Sequence, residues 1–145
     1  MGALEEVFLF YRATRYDLHG KALLKTNPKE YIVDTGFRTW MAGYRVTDTG
    51  CLFENAVYLQ LLYEGWSVHV GKLYGKEVDF VAAKDGRVLY VQATDEMLAS
   101  ETREREIAPL KSIRDNHEKI VVARQGSYDT DIDGIRIVSA RDFFL

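Results

Sequence analysis

Lys76-Glu77-Val78-Asp79-Phe80-Val81-Ala82-Ala83-Lys84-Asp85-Gly86-Arg87-Val88-Leu89-Tyr90-Val91-Gln92-Ala93-Thr94 spells two strands around one tight turn. Asp-Gly suits a two-residue hairpin loop because both loop residues need a left-handed backbone. With Asp85 and Gly86 as the loop, Lys84 faces Arg87 and every facing pair of residue numbers has the same sum. Asp79 is then expected opposite Gln92, and Glu77 opposite Thr94. Side chains alternate along a strand, so Glu77, Asp79, Gln92 and Thr94 are expected on one face with Val81 and Tyr90. Facing Cβ atoms lie roughly 5 Å apart, close enough for two side-chain oxygens to share a cation. A polar group inside an apolar strand costs free energy unless something satisfies it. Asp79 and Gln92, paired across such a hairpin, call for a chemical reason.

Outward from the hairpin the elements follow in a regular order. Ser67–Leu73 reads as the strand before it. Upstream, Thr47, Asp48 and Thr49 offer N-cap oxygens to a helix whose apolar stripe is Leu52, Phe53, Ala56, Val57, Leu61 and Leu62, with Gly65 placed to end it. Downstream, a charged helix runs from about Ser100 to Arg114, with Ile107, Leu110 and Ile113 on one face and Pro109 expected to kink or restart it. Lys119–Ala123 and Ile135–Val138 are strands, and Ala140–Leu145 is a final helical turn. The class is α/β, with order α-β-β-β-α-β and one further strand: a mixed central sheet flanked by helices. Residues 47–145 form this domain on that reading. Residues 1–46 form an N-terminal extension or connector, with strands at Val7–Tyr11 and Tyr31–Val33 around a basic, turn-rich stretch, and Asp34-Thr35-Gly36 turning into a short segment over Phe37–Met41. The early strand reads like the tail of a longer architecture, and a natural short gene would look the same.

Glu54 lies inside the apolar stripe of the first helix, between Phe53, Ala56 and Val57. If that helix packs on the sheet, its carboxylate reaches toward Asp79. Glu54, Asp79 and the amide oxygen of Gln92 would be an all-oxygen set suited to Mg²⁺ or Mn²⁺. The helix–hairpin–helix–strand order, with these acidic positions, resembles the restriction-endonuclease-like superfamily, written PD-(D/E)xK. Further motifs narrow the resemblance: Leu23-Leu24-Lys25-Thr26-Asn27, Tyr31-Ile32-Val33-Asp34-Thr35-Gly36, Leu52-Phe53-Glu54-Asn55-Ala56-Val57-Tyr58, Val70-Gly71-Lys72, Glu77-Val78-Asp79-Phe80-Val81 and Glu101–Glu106. In that order they resemble the C-terminal domain of unknown function that follows the ATPase in many bacterial and archaeal AAA+ ATPases. The similarity runs over nearly the whole chain.

The resemblance implies catalytic and metal-holding roles for Glu54, Asp79 and Gln92. The chain departs from the pattern at two points. Gln92 stands where a carboxylate is expected, and Thr94 where the lysine that activates the attacking water is expected. Lys72 and Lys76, on neighbouring strands, are the candidate replacements. The reading is therefore a nuclease-fold module, non-catalytic or weakly catalytic, serving as an interaction or regulatory domain of an AAA+ ATPase in the same or a separate chain, with nucleic acid as a further partner. The alternative is a Mg²⁺- or Mn²⁺-dependent nucleic-acid hydrolase with a degenerate site.

Composition bounds these readings. With 145 residues, 47% of them hydrophobic, the chain supports one well-buried core and not two. A net charge of −3 gives no whole-chain attraction to nucleic acid or anionic lipid. No apolar run spans a bilayer, the start lacks signal-peptide order, and Glu6 stands where the Met1-Gly2 myristoylation pattern needs Ser or Thr. One cysteine, Cys51, excludes an internal disulfide and suits a reducing compartment, so a soluble cytoplasmic protein is expected. No Gly-rich phosphate loop with Lys-Ser/Thr occurs, which excludes ATP hydrolysis by this sequence. Asp129–Gly134 imitates the start of an EF-hand loop, but Ala140 occupies the position of the closing Glu, so an acidic inter-strand loop is expected. His19, His69 and His117 have no metal-ligand spacing. Arg103, Arg105, Lys111 and Arg114 alternate with Glu101, Glu104 and Glu106, a pattern expected to self-pair at i,i+3 and i,i+4. Trp40, Trp66 and the nine tyrosines read as core and rim, not as a base-stacking platform, since no basic run accompanies them.

Overall fold

A computed structural model describes residues 9–43, 49–97, 99–126 and 130–145. Val7 and Phe8 of the expected first strand, the capping candidates Thr47 and Asp48, Asp129 of the acidic loop, and Met1, Gly2 and Glu6 lie outside the described residues. In chain order the elements are β1 (Phe10–Ala13), β2 (Arg15–Asp17), β3 (Ala22–Leu23), β4 (Lys29–Ile32), α1 (Thr35–Ala42) and α2 (Thr49–Tyr63). They continue as β5 (Ser67–Leu73), β6 (Lys76–Lys84), β7 (Arg87–Glu96), α3 (Ser100–Lys111), β8 (Glu118–Gln125), β9 (Asp131–Ile132), β10 (Ile135–Ser139) and α4 (Ala140–Phe144). The expected α-β-β-β-α-β order is α2 through β8, and the fold is α/β. Among the described residues, eight strands build one mixed sheet in the order β3-β2-β5-β6-β7-β8-β10-β9. β1 and β4 form a separate antiparallel ribbon.

Each helix has a local cause. Asp34 caps α1 by accepting from the N–H groups of Gly36 and Phe37. α2 lays Phe53, Val57, Tyr58 and Leu61 onto one face of the sheet, against Phe80, Val91 and Val122. α3 covers the other face with Ile107 and Leu110, which meet Val81, Tyr90, Val121 and Ile137. Pro109 lies inside α3, which runs without a restart to Lys111, short of Arg114. No helix among the described residues is long and apolar enough to cross a membrane.

The N-terminal segment is built into this frame. β2 pairs in parallel with β5, although its three residues sit in the basic stretch and are too few to show alternation. Ala13 of β1 and Tyr31 of β4 are buried in the α2-side core. Asn55 of α2 clamps the ribbon: Ile32 N donates to its Oδ1 at 2.9 Å, and its Nδ2 donates to Ile32 O at 2.8 Å. A buried amide that supplies both partners of one backbone unit satisfies itself and fixes β4 to the helix.

The central hairpin keeps the expected register from Lys84↔Arg87 to Phe80↔Val91, with Asp85 and Gly86 both left-handed. Beyond that point the expectation fails. The paired positions move from His69↔Val81 to Gly71↔Val78, so β6 carries one extra residue relative to β5. This bulge reverses the parity of the strand. Val78 and Val81 both enter the α3-side core, while Phe80 and Ala82 enter the α2-side core. Asp79 and Glu77 are thereby out of phase with Val81 and Tyr90, whose face they were expected to share.

Gly71 makes room for the bulge. A Cβ there would lie 3.0 Å from Val78 Cβ and 3.0 Å from Val81 Cγ2. Gly71→Ala is expected to cost about 1–2 kcal/mol, since both neighbours are strand-held valines with little freedom to retreat. Urea denaturation of the variant checks this, and unchanged stability would show that the two valines yield freely.

Candidate functional site

At the bulge, regular backbone pairing gives way to side chains. Ala93 N donates to Asp79 Oδ2 at 2.8 Å, and Asp79 N donates to Gln92 Oε1 at 3.4 Å. The expected facing pair Asp79 and Gln92 does touch, but through backbone groups of the ladder and not by aiming two oxygens at one point. Gln92 turns its amide nitrogen the other way, donating to Glu106 Oε2 of α3 at 3.3 Å. The β6–β7 register ends at Phe80↔Val91, so Glu77 is not paired with Thr94; on the β5 side it pairs with Lys72. Thr94 is buried, and its hydroxyl donates to Glu96 O at 3.2 Å.

The α2 side gathers the acids. Glu54 Oε1 accepts from Tyr31 Oη at 2.7 Å and from Lys29 Nζ at 2.7 Å. Lys29 also reaches Glu77 Oε1 at 3.1 Å. The other oxygen of Glu77 takes Arg15 Nη1 and Lys72 Nζ, each at 2.7 Å. Four strands and one helix therefore meet in a single ionic network. Lys72 is spent on Glu77, and Lys76 is exposed at the end of its hairpin. The lysine that enters the acid group is Lys29, from the N-terminal ribbon.

The electrostatics follow from these neighbours. Burial alone would raise the Glu77 carboxyl, yet Lys72, Arg15 and Lys29 hold it down at about 2. Burial works against the charge on Lys29, but Glu54 and Glu77 outweigh it and raise its pKa above the usual value. Asp79 goes the other way. Burial and the nearby Glu54 push its carboxyl up to about 7, against the opposing pull of the Ala93 N–H and Lys29. Tyr31 is a phenol raised far above its ordinary value by burial and by Glu54, so it stays a donor.

Glu54 and Asp79 are brought into each other's field, as expected; Gln92 is not brought into the same set of donors. Among the described residues no group of three or more His, Cys, Asp or Glu is disposed to hold a metal ion. One Glu54 oxygen serves Lys29 and Tyr31, and the Gln92 oxygen serves a backbone N–H. This donor set does not fit a resident Mg²⁺ or Mn²⁺, which needs several free, convergent oxygens.

Reading the sequence alone missed Lys29, Tyr31, Asn55, Arg15 and Glu106. Lys29 and Tyr31 lie two apart on a strand beside an apolar segment, which is a signal only once β4 is known to dock on α2. A mainly apolar cavity of about 430 Å³, lined in part by Phe10, Tyr31, Phe37 and Leu52, opens beside Lys29 and Glu54.

The other candidates stay apart. In the acidic loop Asp131 accepts the Gly134 N–H at 3.0 Å and Asp133 pairs with Lys111, as an inter-strand turn does. His69 shares a hydrogen bond with Thr14, while His19 and His117 lie beside Tyr74 and Tyr90. Among the described residues the expected i,i+3 and i,i+4 pairs along α3 do not form; Arg103 donates to Met97 O, the exposed Arg105 pairs with adjacent Glu106, and Lys111 pairs with Asp133. Trp40 is exposed next to Phe37, and the Arg87 guanidinium lies over the half-buried Trp66.

Comparison with known proteins gives one informative similarity. A Haemophilus influenzae protein described as uncharacterized is 42% identical over 142 residues, covering 98% of this chain and 35% of that relative. The chain thus spans about a third of the length of the curated relative it matches. No family model matches the sequence, and no solved structure matches the fold.

Proposed function

We propose that this chain is a nuclease-fold module whose acid group is neutralised from within, and that it acts as an interaction or regulatory domain of an AAA+ ATPase. The observation that carries the reading is Lys29. Its ammonium lies between Glu54 and Glu77, taking up the charge that a divalent ion would otherwise balance. Gln92 and Thr94, in place of a carboxylate and a lysine, support the same reading: one removes a ligand charge and the other an ammonium. The Haemophilus relative extends well beyond the matched region, which suits a module joined to further domains.

The alternative, a Mg²⁺- or Mn²⁺-dependent nucleic-acid hydrolase, is favoured by one feature. Asp79 is a half-buried carboxyl raised to about 7 beside Glu54, and a cation would relieve both. Incubation with single- and double-stranded DNA and RNA, in Mg²⁺ or Mn²⁺, separates the two. The expected result is no cleavage by the protein or by Asp79→Ala. Metal-dependent cutting that disappears in Asp79→Ala would establish the hydrolase.

A further inference from the structure

Among the described residues, three two-residue turns place both loop residues in the left-handed region: Tyr74-Gly75, Asp85-Gly86 and Asp133-Gly134. Asp, Asn and Gly tolerate the first position, and two of the three turns use Asp. Tyr74 is a bulky residue at φ 47°, where a side chain of its kind is strained. Core packing does not account for it, because the residue is 74% exposed. An aromatic ring held out to solvent on a turn that would prefer Asp or Asn points to a ligand.

The surroundings say which kind. Tyr74 lies 5.1 Å from the His19 ring, centroid to centroid, and both wall a cavity of about 650 Å³. The cavity is formed by the β2–β3 turn, the β5–β6 turn and the end of α3, over Leu73 and Ile113 of the α3-side core. It is thus apart from the Glu54 network. Lys21 and Arg114 line it without an ion-pair partner among the described residues. Lys111 also lines it but pairs with Asp133. The one carboxylate in the lining, Asp115, accepts Tyr90 Oη at 2.7 Å and the His117 N–H at 3.1 Å. Two flat rings beside two uncommitted cations, in a volume usual for small-ligand sites, match a base next to a phosphate. The basic partners absent from any run in the sequence are assembled here from two distant segments.

We propose that this cavity binds a nucleotide, with the base stacked on Tyr74, the His19 ring, tilted 52° to it, at the edge of the base, and the phosphate against Lys21 and Arg114. The same chemistry is presented by a mononucleotide or by one unit of a single strand. The inference does not depend on the nuclease-fold reading.

The test is equilibrium binding to the full chain, using AMP, ATP, a fluorescein-labelled deoxyadenylate 12-mer and inorganic phosphate as probes. Tyr74→Asn suits the turn better than tyrosine does, so it removes the ring without unfolding the protein. Expected are saturable binding of a mononucleotide or of the 12-mer, at least tenfold weaker in Tyr74→Asn and in Lys21→Ala/Arg114→Ala, and a melting temperature for Tyr74→Asn that is unchanged or higher. A preference for AMP or ATP identifies a free nucleotide as the ligand, and a preference for the 12-mer identifies single-stranded nucleic acid. No binding of any probe at millimolar concentration overturns the proposal. So does binding indifferent to Tyr74→Asn, or phosphate alone binding as tightly as the nucleotides.

Discussion

Asp79→Asn is expected to stabilise the protein at pH 8 by roughly 2–4 kcal/mol, and by little at pH 4, because a raised pKa is itself a stability difference. In the folded chain the Asp79 carboxyl sits at about 7, pushed up by burial and by Glu54. The folded state therefore holds this proton more tightly than the unfolded chain does. Its contribution to stability is fully present below the ordinary carboxyl pKa. That contribution falls as pH rises through about 7, and then levels off. Asparagine keeps an oxygen for the Ala93 N–H and never ionises, so the variant escapes the loss. The measurement is urea denaturation of both proteins across pH 4–9, taken as the difference so that other carboxylates cancel. A difference that is flat with pH would show that Asp79 is ordinary in the fold. If millimolar Mn²⁺ stabilised the wild type alone, Asp79 would be a ligand and the hydrolase reading would gain.

Lys29→Met is expected to destabilise the protein by about 2 kcal/mol at pH 7, below the cost of breaking a fully buried pair because the lysine is partly solvated. The Lys29 side chain is 30% exposed and that of Glu54 17%. Without the ammonium, Glu54 keeps only the Tyr31 hydroxyl among the described residues, whereas Glu77 retains Arg15 and Lys72. The loss should therefore be assigned to Glu54. Lys29→Met/Glu54→Gln is expected to recover most of it, since glutamine still accepts from Tyr31 and carries no charge. Equal stability of the single variant and the wild type would mean that solvent screens the acid group, and that Lys29 is not the cation balancing it.

How far each feature could be read in advance depended on how local its cause was. Asp85-Gly86 specifies its turn through the backbone needs of two adjacent residues, and the pairing from Lys84↔Arg87 to Phe80↔Val91 followed. The strand over Ser67–Leu73 and the helix stripe of Phe53, Val57 and Leu61 were legible for the same reason, since periodicity is carried within one element. β2, β3 and β9 were not, because segments of two or three residues have no period and form only when a neighbouring edge accepts them. Glu54 and Asp79 could be picked out as polar residues on apolar elements. Their surroundings could not.

By itself the sequence determined the order of the longer elements from α2 to β8, the hairpin turn and the two polar positions Glu54 and Asp79, because these are patterns among residues close in the chain. The tertiary structure alone decided which way Asp79 points and which cation meets Glu54. The first depends on one extra residue in β6, tolerated because Gly71 leaves space beneath Val78 and Val81. A single inserted residue reverses the face of everything beyond it, and alternation along the chain cannot reveal it. The second depends on Asn55 holding β4 against α2, which delivers Lys29 and Tyr31 to the acid group. Coulomb and hydrogen-bond energies are set by distance in space, so the partner of a buried carboxylate becomes known only when the chain has closed around it.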